Sequence, residues 1–303
     1  MGSGVSVVIT TVNRPNELRR AIASVKRQNY EDLEIIVVVD GGNSKTLDLL
    51  KDYSEIKVIS NIPAVGGAES RNIGIRATSK HLVALLDDDD EWLEEKIQIQ
   101  VDSLLNFEAT ENIVSFTSLF TYIKNPNYLF TLPRESYSQG ENVGEYLFTL
   151  KHGKWNGWIQ TSTLMATRQT FLDVPFNPRL PKHQDWDWII NVHKRGIPII
   201  HVDKPLSIYH KIKDNNSVSK NTRWDFSEQW INKQKDLISN EAYENFILAV
   251  VNNSISKDLD LSIESRSKKI FNRLKNLQIK TKISLTTGRF ILQYLYNIMK
   301  YRK

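Results

Sequence analysis

The chain of 303 residues has no cysteine, so neither a disulfide nor a thiolate metal site is open to it, which suits a reducing compartment. Long apolar runs are missing as well. No stretch approaches the roughly 20 apolar residues that cross a bilayer, and the N-terminal VSVVITTVNRP shows no signal-peptide pattern, so the expected location is the cytoplasm. Two glycine motifs are absent. The first strand-to-helix turn, TTVNRPNE, lacks the Gly-x-Gly-x-x-Gly that lets a dinucleotide approach the backbone, and there is no Walker-type loop ending in Lys-Ser/Thr. Acidic residues are missing from one region only: Ser265 to Lys303 holds 11 Lys or Arg and no Asp or Glu, while the remainder has 29 basic against 35 acidic residues, a net −6. A mildly acidic body with a basic tail implies an anionic partner for the tail, among lipid headgroups, nucleic acid or an acidic protein.

With 40% hydrophobic residues the chain can bury one large domain, or one domain with an appendage. Short apolar runs alternate with amphipathic segments from the start: GVSVVIT, RPNELRRAIASVKRQ, LEIIVVVD, SKTLDLLKDY, IKVIS, GAESRNIGIRAT and HLVALLD. That alternation predicts a doubly wound α/β fold, with a mostly parallel sheet and helices on both faces. Phe107 to about Asn221 is less regular, with aromatic-rich strands, the loop KHGKWNGWIQTST and a helix WDWIINVHKRG closed by Gly196. Everything after Trp224 reads as helix. The expected organisation is a catalytic domain over 1–221, with halves 1–106 and 107–221, and a helical region over 222–303.

In such sheets ligands sit beyond the carboxyl ends of the strands, which directs attention to Thr10–Arg14, Asp40–Asn43 and Asp87–Asp90. The run LVALLDDDDEWLEEK sets four aspartates side by side. If the strand continues through them, Asp87 and Asp89 share one face and Asp88 takes the other. Two carboxylates at a strand end suit Mg²⁺ or Mn²⁺, which complete their shell with water and substrate phosphates. The alternative is a solvated acidic turn, with Asp90 and Glu91 in the first turn of a helix WLEEKIQIQVDSLL.

Val5 to Trp92 resembles the nucleotide-binding half of the family 2 inverting glycosyltransferases, whose fold is called GT-A. The resemblance rests on four ordered pieces: VSVVITTVNR, EIIVVVDGGN, GGAESRNIGI and LLDDDDEW, the last in place of the DXD motif. It implies a nucleotide site with Thr10 near the base or ribose, Asn13 and Arg14 beside it, Asp40 accepting from uracil and Arg71 near the nucleotide. It further implies Asp88 at the ribose, and Asp89 with Asp87 binding Mn²⁺ or Mg²⁺ at the diphosphate. Val12 stands where the family often has a base-stacking tyrosine, and Val39 and Gly41 flank Asp40 where a second acid is common. Taken singly, Asp40 before Gly-Gly is also a turn residue, and Arg71 also a surface arginine.

PKHQDWDWIINVHKRGI resembles the family's acceptor-side motif, in which an aspartate is the catalytic base. Asp185 matches it, Gln184 replaces the usual glutamate, and Asp187 is the fallback. Helix capping is the structural alternative for Asp185. The resemblance implies direct displacement of a nucleoside diphosphate by an acceptor hydroxyl, with inversion and no covalent nucleophile. Trp155, Asn156 and Trp158, with Thr161, Ser162 and Gln184, form a candidate sugar or acceptor wall, although tryptophans are also core residues. IYHKIKDNNSVS resembles a loop that closes over the diphosphate, with His210, Lys211 and Lys213 as contacts; a surface-loop histidine is the plainer reading there.

In GRFILQYLYNIMKYRK, Ile291, Tyr294, Leu295, Ile298 and Met299 recur at helical spacing between basic ends. Such a helix fits a membrane interface or a docked C-terminal helix. The resemblance favours the inner face of the cytoplasmic membrane, since related bacterial enzymes extend lipid-linked oligosaccharides. The partners the resemblance implies are a nucleotide-sugar donor, taken as UDP-linked, and a glycan or lipid-linked oligosaccharide acceptor, with an anionic membrane expected through 265–303. No nucleic acid is expected, since no recognition motif accompanies the charge. The alternatives are a sugar-phosphate nucleotidyltransferase, whose glycine-rich activation loop is absent from TTVNRPNE, and a carbohydrate-binding scaffold without turnover.

Overall fold

The structure, a computed structural model, describes residues 4–105, 112–122, 129–151, 153–210 and 223–301. It divides into two compact units: 1–141 with 158–214, and 142–157 with 215–303. The expected boundary near 221 lies outside the described residues, and segment 142–157 belongs to the second unit despite its position in the chain.

The first unit is built on β1 (Val5–Thr11), β2 (Leu33–Asp40), β3 (Lys57–Asn61), β4 (Leu82–Asp87), β5 (Glu91–Trp92), β6 (Val114–Tyr122) and β7 (Leu129–Leu132). The chain's later strands are the small ribbon β8 (Leu150–Lys151) and β9 (Lys154–Trp155), then β10 (Leu164–Thr167) and β11 (Ile199–Tyr209). The main sheet has the order β3-β2-β1-β4-β10-β6-β11-β5, with β7 beside β6. The first four of these run parallel, as the alternating pattern predicts. Direction reverses at β10, which is antiparallel to both β4 and β6.

The helices of this unit are α1 (Pro15–Lys26), α2 (Ser44–Leu50), α3 (Gly67–Arg76), α4 (Lys96–Leu105), α6 (Arg168–Asp173) and α7 (Gln184–Lys194), with α5 (Val143–Phe148) belonging to the second unit. α1 starts on Pro15, carries Glu17 in its first turn and Lys26 in its last, and buries Leu18, Ala21, Ile22 and Val25 at helical spacing. Alternate β1 residues serve opposite faces. Val5, Val7 and Ile9 join Leu18, Ile22 and Val25 in the core, while Val8 faces α3. That second contact requires glycine: a Cβ on Gly74 would lie 2.4 Å from Val8 Cγ1 and 3.1 Å from Val38 Cγ2.

In the second unit the ribbon and α5 accompany α8 (Trp224–Asn232), α9 (Asn240–Phe246), a π-helical stretch Ile247–Asn252, α10 (Asn253–Lys257), α11 (Ile263–Lys275), α12 (Ile279–Lys282) and α13 (Leu285–Lys300). Its aromatic centre is Phe148, edge-on to Trp155, Trp230 and Phe246 at ring distances of 6.3, 6.1 and 5.2 Å. Among the described residues no helix is long and apolar enough to cross a membrane.

Candidate active site

The site begins where β4 ends. Apolar β4 pairs on both sides, so its last residue, Asp87, emerges beside Thr10, its register partner on β1. The strand stops there: Asp90 N–H donates to Asp87 O at 3.1 Å, closing a turn. Strict strand alternation therefore does not reach Asp89. The expected helix opening at Asp90 and Glu91 is also replaced, since Glu91–Trp92 pairs with β11 and the helix begins at Lys96.

The turn sends the four carboxylates to different partners. Asp87 accepts from Arg71 Nη2 at 2.6 Å. Asp88 is buried, accepting from Thr11 Oγ1 at 2.6 Å and Arg14 Nη1 at 3.1 Å. The same Arg14 nitrogen lies 2.8 Å from Asp89 Oδ2, and Arg20 Nη2 donates to the Asp89 carbonyl at 2.6 Å. Asp90 is fully buried, accepting from Ser162 Oγ at 2.6 Å, Gln160 Nε2 at 2.7 Å and the His210 backbone N–H at 3.2 Å. Asn13 bends the β1–α1 turn with φ of 51°, a left-handed conformation that asparagine tolerates, and Val12 at the turn is open to solvent.

At the end of β2, Asp40 is buried and accepts from the backbone N–H groups of Val65 and Gly66 at 2.8 and 2.9 Å. It thereby ties the loop before α3 to the sheet edge. Asn61 Nδ2 adds a longer contact to Oδ1 at 3.5 Å, so three donors face the carboxylate's roughly four lone-pair positions.

α3 and α7 meet through one arginine. Arg71 donates to Asp87 and, through Nη1, to Gln184 Oε1 at 2.8 Å; Gln184 Nε2 in turn donates to Leu180 O at 2.7 Å. Asp185 follows in the first turn of α7, accepting from Trp186 N–H at 2.9 Å. The residue flanking the helix is His183, held at φ 64° with its ring stacked on Trp186, so Asp185 is not the N-cap. Asp187 is buried and accepts from Asn191 on its own helix at 3.1 Å.

The predicted wall is divided. Trp155 and Asn156 belong to the second unit, where Asn156 N–H donates to Thr149 O at 3.2 Å. Trp158 belongs to the first, 6.4 Å from the Tyr209 ring, with a buried Nε1 that has no hydrogen-bond partner among the described residues. Thr161 and Ser162 are buried, Ser162 serving Asp90. His210 Nε2 is engaged with Glu91 at 2.8 Å, and Lys211 and Lys213 lie outside the described residues.

Burial and repulsion from neighbouring carboxylates raise the proton affinity of Asp88, Asp89, Asp90 and Asp185. Burial pushes Asp88 up to about 7 against the pull of Thr11 and Arg14. Asp89 is raised by burial and by Asp87, and Asp90 well raised by burial and by Asp89 and Asp87. Asp185 is pushed by burial up to about 6, although the Trp186 N–H and Arg71 favour its ionised form. Burial opposes the charge on Arg71, yet Asp87, Asp185 and Asp89 raise its affinity for its proton. The arginines present do not neutralise the aspartates, so added positive charge would be favourable here. Among the described residues no three His or acidic groups form a closed metal cage. Asp87 and Asp89, each held by an arginine, are of the donor type that Mg²⁺ or Mn²⁺ takes one or two at a time with water and phosphate.

Three neighbours escaped the sequence reading: Gln160, 3.4 Å from Asp87 Oδ2; Arg20, under Asp89; and Tyr209, whose hydroxyl burial and the nearby aspartates keep protonated. Long-range folding brings them in: Gln160 and Tyr209 lie inside the stretches KHGKWNGWIQTST and IYHKIKDNNSVS without being singled out there, and Arg20 lies in no motif. Only the position of Tyr209, just before the 210–213 loop, offered a signal.

The sequence profile of "Glycosyl transferase family 2" matches residues 6–173. The chain is 27% identical over 237 residues to the amylovoran biosynthesis glycosyltransferase AmsB of Erwinia amylovora, covering 76% of this chain and 77% of that protein. It is 26% identical over 229 residues to the UDP-Glc:alpha-D-GlcNAc-diphosphoundecaprenol beta-1,3-glucosyltransferase WfgD of Escherichia coli, covering 75% and 83%. In fold it is similar to S. aureus TarS 1-349 in complex with UDP-GlcNAc, with a TM-score of 0.63, 14% identity, and coverage of 98% of this chain and 90% of that one. It spans 54% of the longer TarS chain. With the profile spanning more than half of its residues and the sheet adopting the expected order of pieces, the chain belongs to glycosyl transferase family 2 and is a glycosyltransferase of GT-A fold.

Proposed function

We propose that the protein transfers a sugar, with inversion, from a UDP-sugar to a hydroxyl of a glycan or lipid-linked oligosaccharide. The observation that carries this reading is the Arg71 network. One guanidinium bonds Asp87 at the strand end and Gln184 at the start of α7, and its charge is felt by both Asp185 and Asp89. It links a carboxylate position suited to a donor's phosphates with one suited to an acceptor's proton.

Thr10, Asn13 and the loop ordered by Asp40 would line the nucleoside, with Asp40 using its remaining lone-pair position towards uracil. Asp88 would act on the ribose through Thr11 and Arg14, which it holds directly. Asp87 and Asp89 would hold Mn²⁺ or Mg²⁺, which when bound supplies positive charge against the departing diphosphate. Asp185 takes the acceptor's proton as the acceptor oxygen bonds the anomeric carbon and the carbon–phosphate-oxygen bond breaks. A carboxyl group whose affinity lies near 6 suits this role, ionised at neutral pH yet more basic than an exposed aspartate. UDP-linked chemistry is supported by the names of WfgD and of the TarS complex, and a lipid-diphosphate acceptor by that of WfgD.

The test is Asp185→Asn, with UDP affinity in Mn²⁺ measured by calorimetry and sugar transfer by chromatography. Retained binding with transfer lost by about 10²-fold or more is expected for a base. Undiminished transfer would move the role to another group. Binding without turnover by the unaltered protein, for every acceptor, would favour the scaffold reading.

A further inference from the structure

α13 packs inside out. Its inward stripe is polar: Tyr294 OH donates to Leu248 O at 2.5 Å, Asn297 Nδ2 to Ser256 Oγ at 2.9 Å and Asn253 Oδ1 at 3.2 Å, and Thr287 Oγ1 to Thr281 O at 2.6 Å. Its outward stripe is apolar. Leu285, Leu292, Leu295, Tyr296 and Met299 are 92, 69, 53, 54 and 68% exposed. Of the two readings of this helix, interfacial or docked, the interfacial one puts Tyr294 and Ile298 on the membrane face. The structure replaces them, because Tyr294 is drawn inward by the π-helical carbonyl of Leu248 and Ile298 is half-buried.

At the helical step of about 100° per residue these five residues fall within an arc of about 100°, with Arg289 and Lys300 bordering it on the Tyr296 side and Ile291, 36% exposed, about 40° beyond Leu295 on the other. Lys300 Nζ lies 5.9 Å from the Tyr296 ring centre. Water is a poor match for this face, and the cations Arg289 and Lys300 beside it select an anionic partner. No acidic residue lies between 265 and 303, although of the 11 basic residues there Arg266 is buried and Arg273 and Lys280 pair with Glu228 and Glu241. The 16 residues of α13 extend about 24 Å, short of the roughly 30 Å hydrocarbon core.

We propose that α13 lies in the interface of an anionic phospholipid membrane, with Leu292, Leu295 and Met299 in the acyl boundary, Tyr296 at headgroup depth and Arg289 and Lys300 on phosphate. The proposal is independent of the sugar-transfer reading, because neither its residues nor its readout involve the nucleotide site.

Vesicle flotation of the full chain tests it, using phosphatidylcholine alone and phosphatidylcholine with phosphatidylglycerol. The full chain floats with the anionic vesicles and stays behind with the neutral ones. Leu292→Glu/Leu295→Glu lowers partitioning at least about tenfold, and Arg289→Gln/Lys300→Gln lowers it by roughly fivefold for each charge removed. All these side chains are exposed, so the variants keep the wild-type circular dichroism and thermal transition. A misfolded glutamate variant is replaced by Leu292→Ser/Leu295→Ser, with the same expected loss. Equal flotation of folded variants, or of wild type on neutral vesicles, overturns the proposal. So does a full chain that ignores vesicles and sediments as a dimer dispersed by Leu292→Glu, which would make a second copy the partner.

Discussion

At the scale of single residues, the site is a contest between like charges that two arginines only partly settle. Arg14 spans Asp88 and Asp89, so its removal leaves both carboxylates uncompensated. Arg14→Gln is therefore expected to melt at a lower temperature than wild type at pH 7 and to gain more from Mn²⁺, as read by calorimetric scans with and without the ion. The raised affinity of Asp185 has two consequences of opposite sign. The proposed base acts in its ionised form, so transfer is expected to rise with pH through about 6 and level above it, a limb that a pH–rate profile of kcat/KM reports. The same ionised form is held at a cost, because the folded value exceeds the unfolded one. Stability from this group falls as pH rises through about 6, so Asp185→Asn melts at or above the wild-type temperature at pH 7.5 while losing activity.

At the scale of elements, close approach of α3 to the sheet determines where Arg71 stands. Gly74 lies one turn beyond it, against Val8 and Val38. Gly74→Ala must push the helix off the strands, costing about 1–3 kcal/mol and, at roughly 2–4 °C per kcal/mol, several degrees in Tm. Weaker UDP binding accompanies it, measured by titration calorimetry. A second hinge of stability is the start of β11. Ser118 Oγ is 3.0 Å from His201 Nε2, Tyr137 N–H donates to His201 Nδ1 at 3.1 Å, and Phe116 stacks on the ring. Burial pulls His201 down to about 4, below its ordinary 6.5. The neutral ring is thus native, the unfolded chain takes up the proton first, and stability is lost as pH falls from about 6.5 to 4. The slope is up to about 1.4 kcal/mol per pH unit. In His201→Gln that slope is absent whatever the baseline, as urea unfolding at several pH values shows.

At the scale of the whole molecule, the acidic cluster belongs to the first unit and the basic helices to the second. A nucleotide that binds the native first unit and not the unfolded chain stabilises by mass action. At a hundred times its Kd, UDP with Mn²⁺ is expected to add about 2.7 kcal/mol to folding, visible as a rise in thermal transition that Asp89→Ala abolishes.

Several parts were legible in the order of residues. Alternating apolar runs of strand and helix length have few ways to bury themselves, so β1 to β4 with α1 to α3 could be read directly, along with the polar strand ends where Asp40 and Asp87 stand. Helical spacing likewise identified α7 and α13. Which way each aspartate points was not legible, because the turn at Asp90 ends the strand and partners come from distant segments: Thr11 and Arg14 for Asp88, Ser162 and Gln160 for Asp90. Nor was the outward face of α13, since a helical pattern states that two stripes differ and not which one meets the rest of the protein. Local sequence determined the elements and the supply of charge; only the tertiary structure decided which charges face one another, because that depends on contacts between residues 70 to 120 positions apart, which no local pattern encodes.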